Sequence, residues 1–278
     1  MIIKDALNLY SKLLKPYSQS PKLDTELIIS HVINKTKAYL YTWPEHDLSE
    51  INLEEINKHI ESRKQGISIA HIIGKAEFWD MTFMVNNHIL SPRPDTETII
   101  ETALGFFNTS TNYYMLDLGT GSGAIAITLA KLFKKSNIIA TDISIEVLNI
   151  AKQNARLNSI NNIQFKLSNW FSKINCIQKF DLITSNPPYI DIDDVDIESN
   201  VRLHEPHLAL FSPNQGLHDL YTIIKNSSKY LKHNGILVLE HGHKQGDLIM
   251  GELQSHGYRN ISIHYDLNGI HRCTSAVW

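Results

Sequence analysis

The sequence predicts an α/β protein: a mostly parallel sheet with helices on both faces, preceded by a small all-α domain. Three observations carry that expectation. From about residue 113 onward, short apolar runs alternate with stretches of helical period, as in a parallel sheet with crossover helices. The first such unit is a strand, a glycine-rich loop and a helix in immediate succession, an order that opens many nucleotide-binding sheets. Before residue 74 the apolar residues instead recur at helical intervals, with prolines between the stripes.

Composition sets outer bounds. With 278 residues, 42% hydrophobic and 20% charged, the chain has the make-up of a globular protein able to bury a sizeable core. A formal net charge of −3 argues against a protein whose affinity comes mainly from neutralising phosphates. The two cysteines, Cys176 and Cys273, lack any ligand spacing and read as reduced thiols. Residues 1–5 do not resemble a signal peptide, and no apolar run approaches the ~20 residues of a membrane helix. The expectation is a cytoplasmic protein with no membrane partner.

Taken in order, Ala6, Leu7, Tyr10, Leu13 and Leu14 form one helical stripe, and Leu23, Leu27, Ile28, His31 and Val32 a second. Ile51, Ile56 and Ile60 mark a third, with Pro16, Pro21 and Pro44 between them. This helical domain is expected over residues 1–74. Nothing in it looks catalytic, and His31 and His59 lack the partners a metal would need.

A change of period follows. Phe78, Trp79, Met81, Phe83 and Val85 are β-prone and Asn86-Asn87 is a turn signal, so residues 76–90 read as a β-hairpin within a linker over 75–91. The catalytic domain is then expected over 92–278. It begins with Ser91-Pro92-Arg93-Pro94-Asp95-Thr96-Glu97, where two prolines and then acidic residues mark a helix start. Arg93 and Glu97 are candidates to line a cleft; surface charges beside a helix start are the alternative.

Tyr113 to Leu116 read as a buried strand, Asp117-Leu118-Gly119-Thr120-Gly121-Ser122-Gly123 as the glycine loop, and Ala124 onward as a helix. The spacing G-x-G-x-G differs from the dinucleotide fingerprint, so the loop need not cradle a pyrophosphate. About 20 residues on, a second strand ends in Asp142, where a carboxylate can accept from a ribose diol or simply cap the next helix. Helix 145–157, strand 163–167 and a loop holding Asn169 and Trp170 continue the alternation. After them come strand 180–185, helix 217–231, strand 235–240, helix 245–256 and two final strands at 258–265 and 272–277, with an antiparallel edge at the end.

The tetrad Asn186-Pro187-Pro188-Tyr189 ends strand 180–185, because Pro187 cannot donate to a ladder. Its position is the carboxyl end of a strand, where open α/β sheets bind ligands. The Asn186 side-chain oxygen and the Pro187 carbonyl are acceptors with no competing proline N–H, so a planar –NH₂ group can give one hydrogen to each. Tyr189 can pack on the plane of that group. Such a clamp suits transfer of a small electrophile to an amide or exocyclic amine, where positioning supplies most of the rate. A strand followed by an ordinary Pro-Pro turn is the alternative.

Residues 190–214 form a long segment carrying Asp191, Asp193, Asp194, Asp196 and Glu198. The tight spacing and central glycine of a hard-cation loop are absent, so no metal is expected, and a mobile acidic lid over the tetrad is the reading preferred. His241-Gly242-His243 lacks a third ligand.

With loop, acid and tetrad in place, the C-terminal two thirds resembles a Rossmann-like class I S-adenosylmethionine-dependent methyltransferase with a seven-stranded sheet. More narrowly, the chain is similar to the bacterial peptide chain release factor glutamine methyltransferases, the PrmC/HemK family. The stretches that carry the resemblance are Gly74-Lys75-Ala76-Glu77-Phe78-Trp79, Pro92 to Glu97, Leu116 to Gly123, Ser185 to Ile190, Val201-Arg202 with Glu205-Pro206, and Leu239-Glu240-His241-Gly242. The resemblance implies methyl transfer from S-adenosylmethionine to the side-chain amide of the Gln in the Gly-Gly-Gln motif of class-1 release factors, leaving S-adenosylhomocysteine and supporting translation termination. By position, Gly119, Thr120, Gly121, Ser122 and Gly123 would cradle the methionine part of the cofactor, Asp142 its ribose, and Trp170 would lie beside its adenine, with Asn186 at the methyl end. Asn186, Pro187, Pro188 and Tyr189 would hold the substrate amide, with Asn186, Pro187 and Tyr189 catalytic, and the helical domain would grip the release factor. One departure stands out: many relatives carry Asp where this chain has Asn169, so weaker cofactor binding is the most expected from it. A monomer without a stable nucleic-acid partner is expected. The tetrad also occurs in nucleic-acid adenine methyltransferases, the alternative activity.

Overall fold

The computed structural model describes residues 1–278 apart from 196 and 198 and the side chain of 199. Its helices are α1 (Ile3–Leu14), α2 (Pro21–Val32), α3 (Lys37–Thr42), α4 (Glu50–Lys64), α5 (Ile69–Ile73), α6 (Glu97–Phe106), α7 (Ala124–Leu132), α8 (Ile145–Leu157), α9 (Ser199–His204), α10 (His207–Leu210), α11 (His218–Ser227) and α12 (Gly246–Ser255). The strands are β1 (Lys75–Phe78), β2 (Met81–Met84), β3 (Tyr114–Leu118), β4 (Asn137–Asp142), β5 (Ile163–Leu167), β6 (Phe180–Ser185), β7 (Leu231–Glu240), β8 (Arg259–Tyr265) and β9 (His271–Val277). A 3₁₀ turn, Pro94–Thr96, precedes α6. The chain divides into two compact units: Met1–Lys75 with α9, and Ala76–Ile197 with Glu205–Trp278. Among the described residues, no helix is long and apolar enough to cross a membrane.

The first unit is helical, with a core of Ile3, Ala6, Tyr10 and Leu14 from α1, Ile28 and Ile29 from α2, Leu40 from α3, and Ile56 and Ile60 from α4. Pro21 sits at the first turn of α2, where its missing N–H costs nothing, and Ser49 with Asn52 closes a capping box on α4. Asp24 of α2, buried, is neutralised by Arg63 of α4 at 2.7 Å. The stripes read in the sequence are only partly core, since Leu13, Leu23 and Ile51 are 40–75% exposed. Leu40 of α3 supplies what they do not.

The second unit holds a seven-stranded sheet in the order β5-β4-β3-β6-β7-β9-β8. β3 to β7 run parallel, and β9 pairs antiparallel with both β7 and β8. Alternate residues of each central strand feed two cores. Met115, Ile138, Leu182 and Ile236 point to one face, and Leu116, Ile139, Ile183 and Leu237 to the other.

That order has a consequence for function. The chain leaves β3 for β4 and β5 on one side, then returns to place β6 on the other, so the carboxyl ends of β3 and β6 flank the crevice where the order reverses. Leu118 pairs with Ser185 across that line, which sets Gly119 and Asn186, the next residue of each strand, side by side.

Two segments depart from the reading of the sequence. The hairpin is β1 and β2 with its turn at Trp79-Asp80, where Trp79 has φ +56°; Asn86 makes a separate turn further on, accepting from the backbone N–H groups of His88 and Ile89. Phe78 and Phe83 meet edge to face in the core, so residues 76–91 of the stretch expected to be a linker belong to the second unit. Residues 190–214, expected as a loop, contain α9 and α10, and Ile190 bridges Phe211 in parallel. The calls on Asp196 and Glu198 lie outside the described residues.

Candidate active site

A cavity of about 750 Å³ opens within the second unit at the carboxyl ends of β3, β4 and β6. Gly119, Thr120, Gly121, Ser122, Asp142, Asn169, Trp170, Asn186 and Pro188 all line it. Topology alone brings them together. Gly123, Pro187 and Tyr189 are not on its wall: Gly123 caps α7, Pro187 is buried, and Tyr189 packs against the core behind.

The glycine loop is shaped to leave room. Gly119 and Gly121 have φ of +68° and +57°, a region side chains rarely adopt. A Cβ on Gly119 would stand 3.2 Å from the Trp170 ring, while nothing lies within 4 Å of one on Gly121. Both Asp142 oxygens serve the backbone: Oδ2 accepts from Gly121 N–H at 3.0 Å and Oδ1 from Ser144 N–H at 3.0 Å. Burial pushes the Asp142 carboxyl up, and these N–H donors oppose the shift. The Trp170 indole donates to Asp219 Oδ1 at 3.2 Å, and Ser212 holds the other Asp219 oxygen at 2.6 Å.

Asp117 sits beneath the loop, fully buried. Burial raises its carboxyl from an ordinary 3.8 to about 7, with the Thr120 and Thr184 hydroxyls drawing it back and the Asp142 charge adding to the rise. Because the folded value exceeds the unfolded one, the stability this carboxyl contributes is full below about pH 4 and is lost as pH rises through about 7. Asp117→Asn is therefore expected to raise the melting temperature at pH 8 and to change it little at pH 4, as thermal denaturation at the two pH values would show.

The tetrad is held from behind. The Asn186 Nδ2 donates to Thr96 Oγ1 at 3.2 Å, and among the described residues no donor reaches Asn186 Oδ1 or the Pro187 carbonyl. The Tyr189 hydroxyl donates to Glu240 Oε1 at 3.2 Å, and its carbonyl accepts from Gln245 Nε2 at 2.9 Å. Gly216, with φ +80°, packs so closely that a Cβ there would lie 2.1 Å from the Tyr189 oxygen. Burial and the nearby Glu240 charge raise the Tyr189 hydroxyl well above its ordinary range, so it stays a neutral donor.

Of the other candidates, Arg93 lines the cavity and pairs with buried Glu205 at 3.3 Å. Glu97 does not line it: its carboxylate accepts from Trp79 N–H at 2.7 Å and fixes the hairpin turn. The segment over the cavity is apolar where it touches, through Pro206, Leu208, Ala209, Phe211 and Pro213, so the expected acidic lid is corrected to an apolar wall. Asp191 instead accepts from Asp193 N–H within its own turn. His241 is buried against Thr274. Thr96, Glu240 and Asp219 are the site-supporting residues that reading the sequence missed.

The fit to a nucleoside sulfonium rests on this structure. The volume is ample, the loop leaves space at Gly121, and Asp142 stands on the wall with lone pairs left over by its two N–H donors.

Comparison with known proteins agrees. Residues 109–265 match a methyltransferase domain family, and residues 5–74 match the PrmC N-terminal domain. The release factor glutamine methyltransferase of Aliivibrio fischeri is 40% identical over 262 residues, 94% of this chain and 92% of its own. That of Shewanella oneidensis is 40% identical over 261 residues, 94% of this chain and 91% of its own. Among solved structures, a methyltransferase from Pyrococcus furiosus superposes with a TM-score of 0.55 at 16% identity, over 80% of this chain and 96% of its own, a likeness of fold.

Proposed function

The chain belongs to the release factor glutamine methyltransferase family, and we propose that its cavity holds S-adenosylmethionine on the glycine loop while Asn186 presents a release factor's glutamine amide to it. The enzyme is a protein-glutamine N5-methyltransferase. The Gln is that of the Gly-Gly-Gln motif in class-1 factors.

One observation carries the reading: two acceptors, Asn186 Oδ1 and the Pro187 carbonyl, meet no donor among the described residues, beside a loop built to admit a ligand. A primary amide has two N–H groups in one plane, matching two acceptors. Its nitrogen is a poor nucleophile because its lone pair is delocalised into the carbonyl. Bound cofactor supplies a methyl group activated by sulfonium. Asn186 and Pro187 fix the amide plane, and their oxygens stabilise the positive charge that grows on nitrogen as the methyl group passes to it from sulfur, the S–C bond breaking as the N–C bond forms. The surplus proton leaves the nitrogen for solvent as the product is released. Tyr189, anchored by Glu240, supports the turn from behind; Pro188 and the apolar wall exclude water during transfer.

For the cofactor, Gly119, Thr120, Gly121 and Ser122 would hold the methionine part, with Gly123 turning the chain into α7 behind them, Asp142 the ribose through lone pairs its backbone bonds leave over, and Trp170 the adenine side. Asn169 lines that end and accepts from the adenine amino group more weakly than a carboxylate would. The helical unit grips the release factor. The enzyme works as a cytoplasmic monomer without a stable nucleic-acid partner, in keeping with a net charge of −3.

The test is incubation with methyl-labelled S-adenosylmethionine and either purified release factor or nucleic acid. Label is expected on the release factor, at the Gln amide. Label on nucleic acid alone contradicts the reading.

A further inference from the structure

An aromatic ring serves as one wall of a ligand site only if something holds its pitch. We propose that Asp219 is a positioning residue for the cofactor: it grips the Trp170 indole by its N–H, so that the ring stands ready against the glycine loop before S-adenosylmethionine arrives. The inference rests on Trp170 being the wall on the adenine side.

The loop after β5 places the backbone of Trp170 but not its ring. Trp170 has φ +45°, a region side chains rarely adopt, and its carbonyl accepts from the buried Ser168 hydroxyl at 2.8 Å. Two side-chain torsions are still open, and contacts at opposite edges of the indole close them. Nε1 donates to Asp219 Oδ1 at 3.2 Å, from 49 residues away. At the far edge, Cζ3 and Cη2 lie 3.2 and 3.5 Å from where a Cβ on Gly119 would stand. Glycine at 119 admits one edge of the ring, and the acceptor at 219 holds the other. Trp170, Asp219 and Gly119 all line the cavity.

Asp219 is itself held in place. It lies in the first turn of α11, where a carboxylate ordinarily complements the positive end of the helix. Its oxygens are nonetheless aimed away from the helix: Oδ1 takes the Trp170 N–H, and Oδ2 takes the hydroxyl of Ser212, 2% exposed, at 2.6 Å. Ser212 Oγ in turn accepts from the Asp219 N–H at 3.1 Å, so the carboxylate cannot swing off the indole without breaking the Ser212 pair. Ser212 sits in the apolar wall between Phe211 and Pro213, and its own N–H donates to the Ile190 carbonyl at 2.9 Å, one residue beyond Tyr189. One line of hydrogen bonds thus runs from the indole to the end of the tetrad, and the adenine wall and the amide clamp share a frame.

The test measures S-adenosylhomocysteine affinity by calorimetry in the parent protein and in Asp219→Ala, Asp219→Asn, Trp170→Ala, Trp170→Phe and the Trp170→Phe/Asp219→Ala double variant. Asp219→Ala is expected to weaken binding about tenfold, and Asp219→Asn, which keeps an oxygen for the indole, less than about threefold. Trp170→Ala should weaken it about 30-fold. In the Trp170→Phe background, which has no N–H to hold, Asp219→Ala should cost less than about twofold. Asp219→Ala binding like the parent beside a weakened Trp170→Ala overturns the positioning role and spares the reading of Trp170. An undiminished cost of Asp219→Ala in the Trp170→Phe background also overturns it, because Asp219 then acts without the indole. Trp170→Ala binding like the parent overturns the reading of Trp170 and the inference with it. A second measurement needs no Asp219 variant to fold: the indole ¹⁵N–¹H signal of Trp170 in ¹⁵N-tryptophan-labelled parent protein, assigned by its loss in Trp170→Phe. A slowly exchanging signal, displaced from the free-indole position and moved again by S-adenosylhomocysteine, is the expected result. A free-indole signal exchanging at the solvent rate overturns the positioning role.

Discussion

Asn186→Ala is expected to lower the single-turnover rate of methyl transfer about 1,000-fold while leaving S-adenosylmethionine affinity within about threefold. The magnitude follows from the kind of contact removed. A preorganised hydrogen bond to a centre that gains charge in the transition state is worth roughly 3–4 kcal/mol, because its dipole is already aimed when the charge appears. Asn186 is preorganised in this sense: it follows the last residue of a buried strand, is followed by two prolines, and has its Nδ2 bound to Thr96. The ground-state amide gains less from Oδ1 than the transition state does, so the loss falls on the rate more than on substrate binding. Quenched-flow assay and calorimetry on one preparation separate the two. A loss of cofactor affinity that accounts for the whole rate defect would move Asn186 from the substrate to the cofactor.

The second large effect is expected at Asp142. Asp142→Ala should weaken S-adenosylmethionine binding about 100-fold and slow transfer at saturating cofactor less than about fivefold, since a charged acceptor of a ribose hydroxyl contributes roughly 1.5–3 kcal/mol. Part of the loss is indirect. Asp142 Oδ2 accepts from Gly121 N–H, so its removal also frees the loop on which the cofactor rests. Asp142→Asn keeps an oxygen for one of the two N–H groups and should lie between parent and Ala in affinity. If both variants bind cofactor like the parent, Asp142 is a loop and helix cap only, which is the alternative its position leaves open.

The parts of this site that lie in one continuous stretch were legible in the sequence. Strand, glycine loop and helix are local, and so is the halt that Pro187 imposes on β6; parallel pairing then fixes which loops share a crevice. The supports behind them were not legible, because each joins residues far apart in the chain. Thr96 meets Asn186 across 90 residues, Glu240 meets Tyr189 across 51, and Asp219 meets Trp170 across 49. No spacing rule reaches that far. A buried carboxylate such as Glu240 reads in the sequence as one more charged residue at a strand end, although the fold buries it and brings the Tyr189 hydroxyl to it.

The hairpin and the segment over the cavity were misjudged for a different reason. Asn86-Asn87 is the stronger local turn signal, yet the chain turns at Trp79-Asp80, because Glu97 captures the Trp79 N–H and Phe78 and Phe83 gain a core by facing each other there. Over residues 190–214 the carboxylates dominate the eye, while the residues that touch the cavity are the prolines and large apolar side chains after Glu205. Tertiary contact decided both cases against local propensity.

The central claim is that two oxygens after β6 hold a flat –NH₂ group toward a methyl donor on the glycine loop. It is tested most directly by the structure of the enzyme with S-adenosylhomocysteine and a release factor bound. The distance from Asn186 Oδ1 to the glutamine side-chain nitrogen should be about 2.9 Å, with the Pro187 carbonyl at a similar distance from the same nitrogen. A glutamine nitrogen more than about 4 Å from Asn186 Oδ1, with its hydrogens directed to other groups, would contradict it.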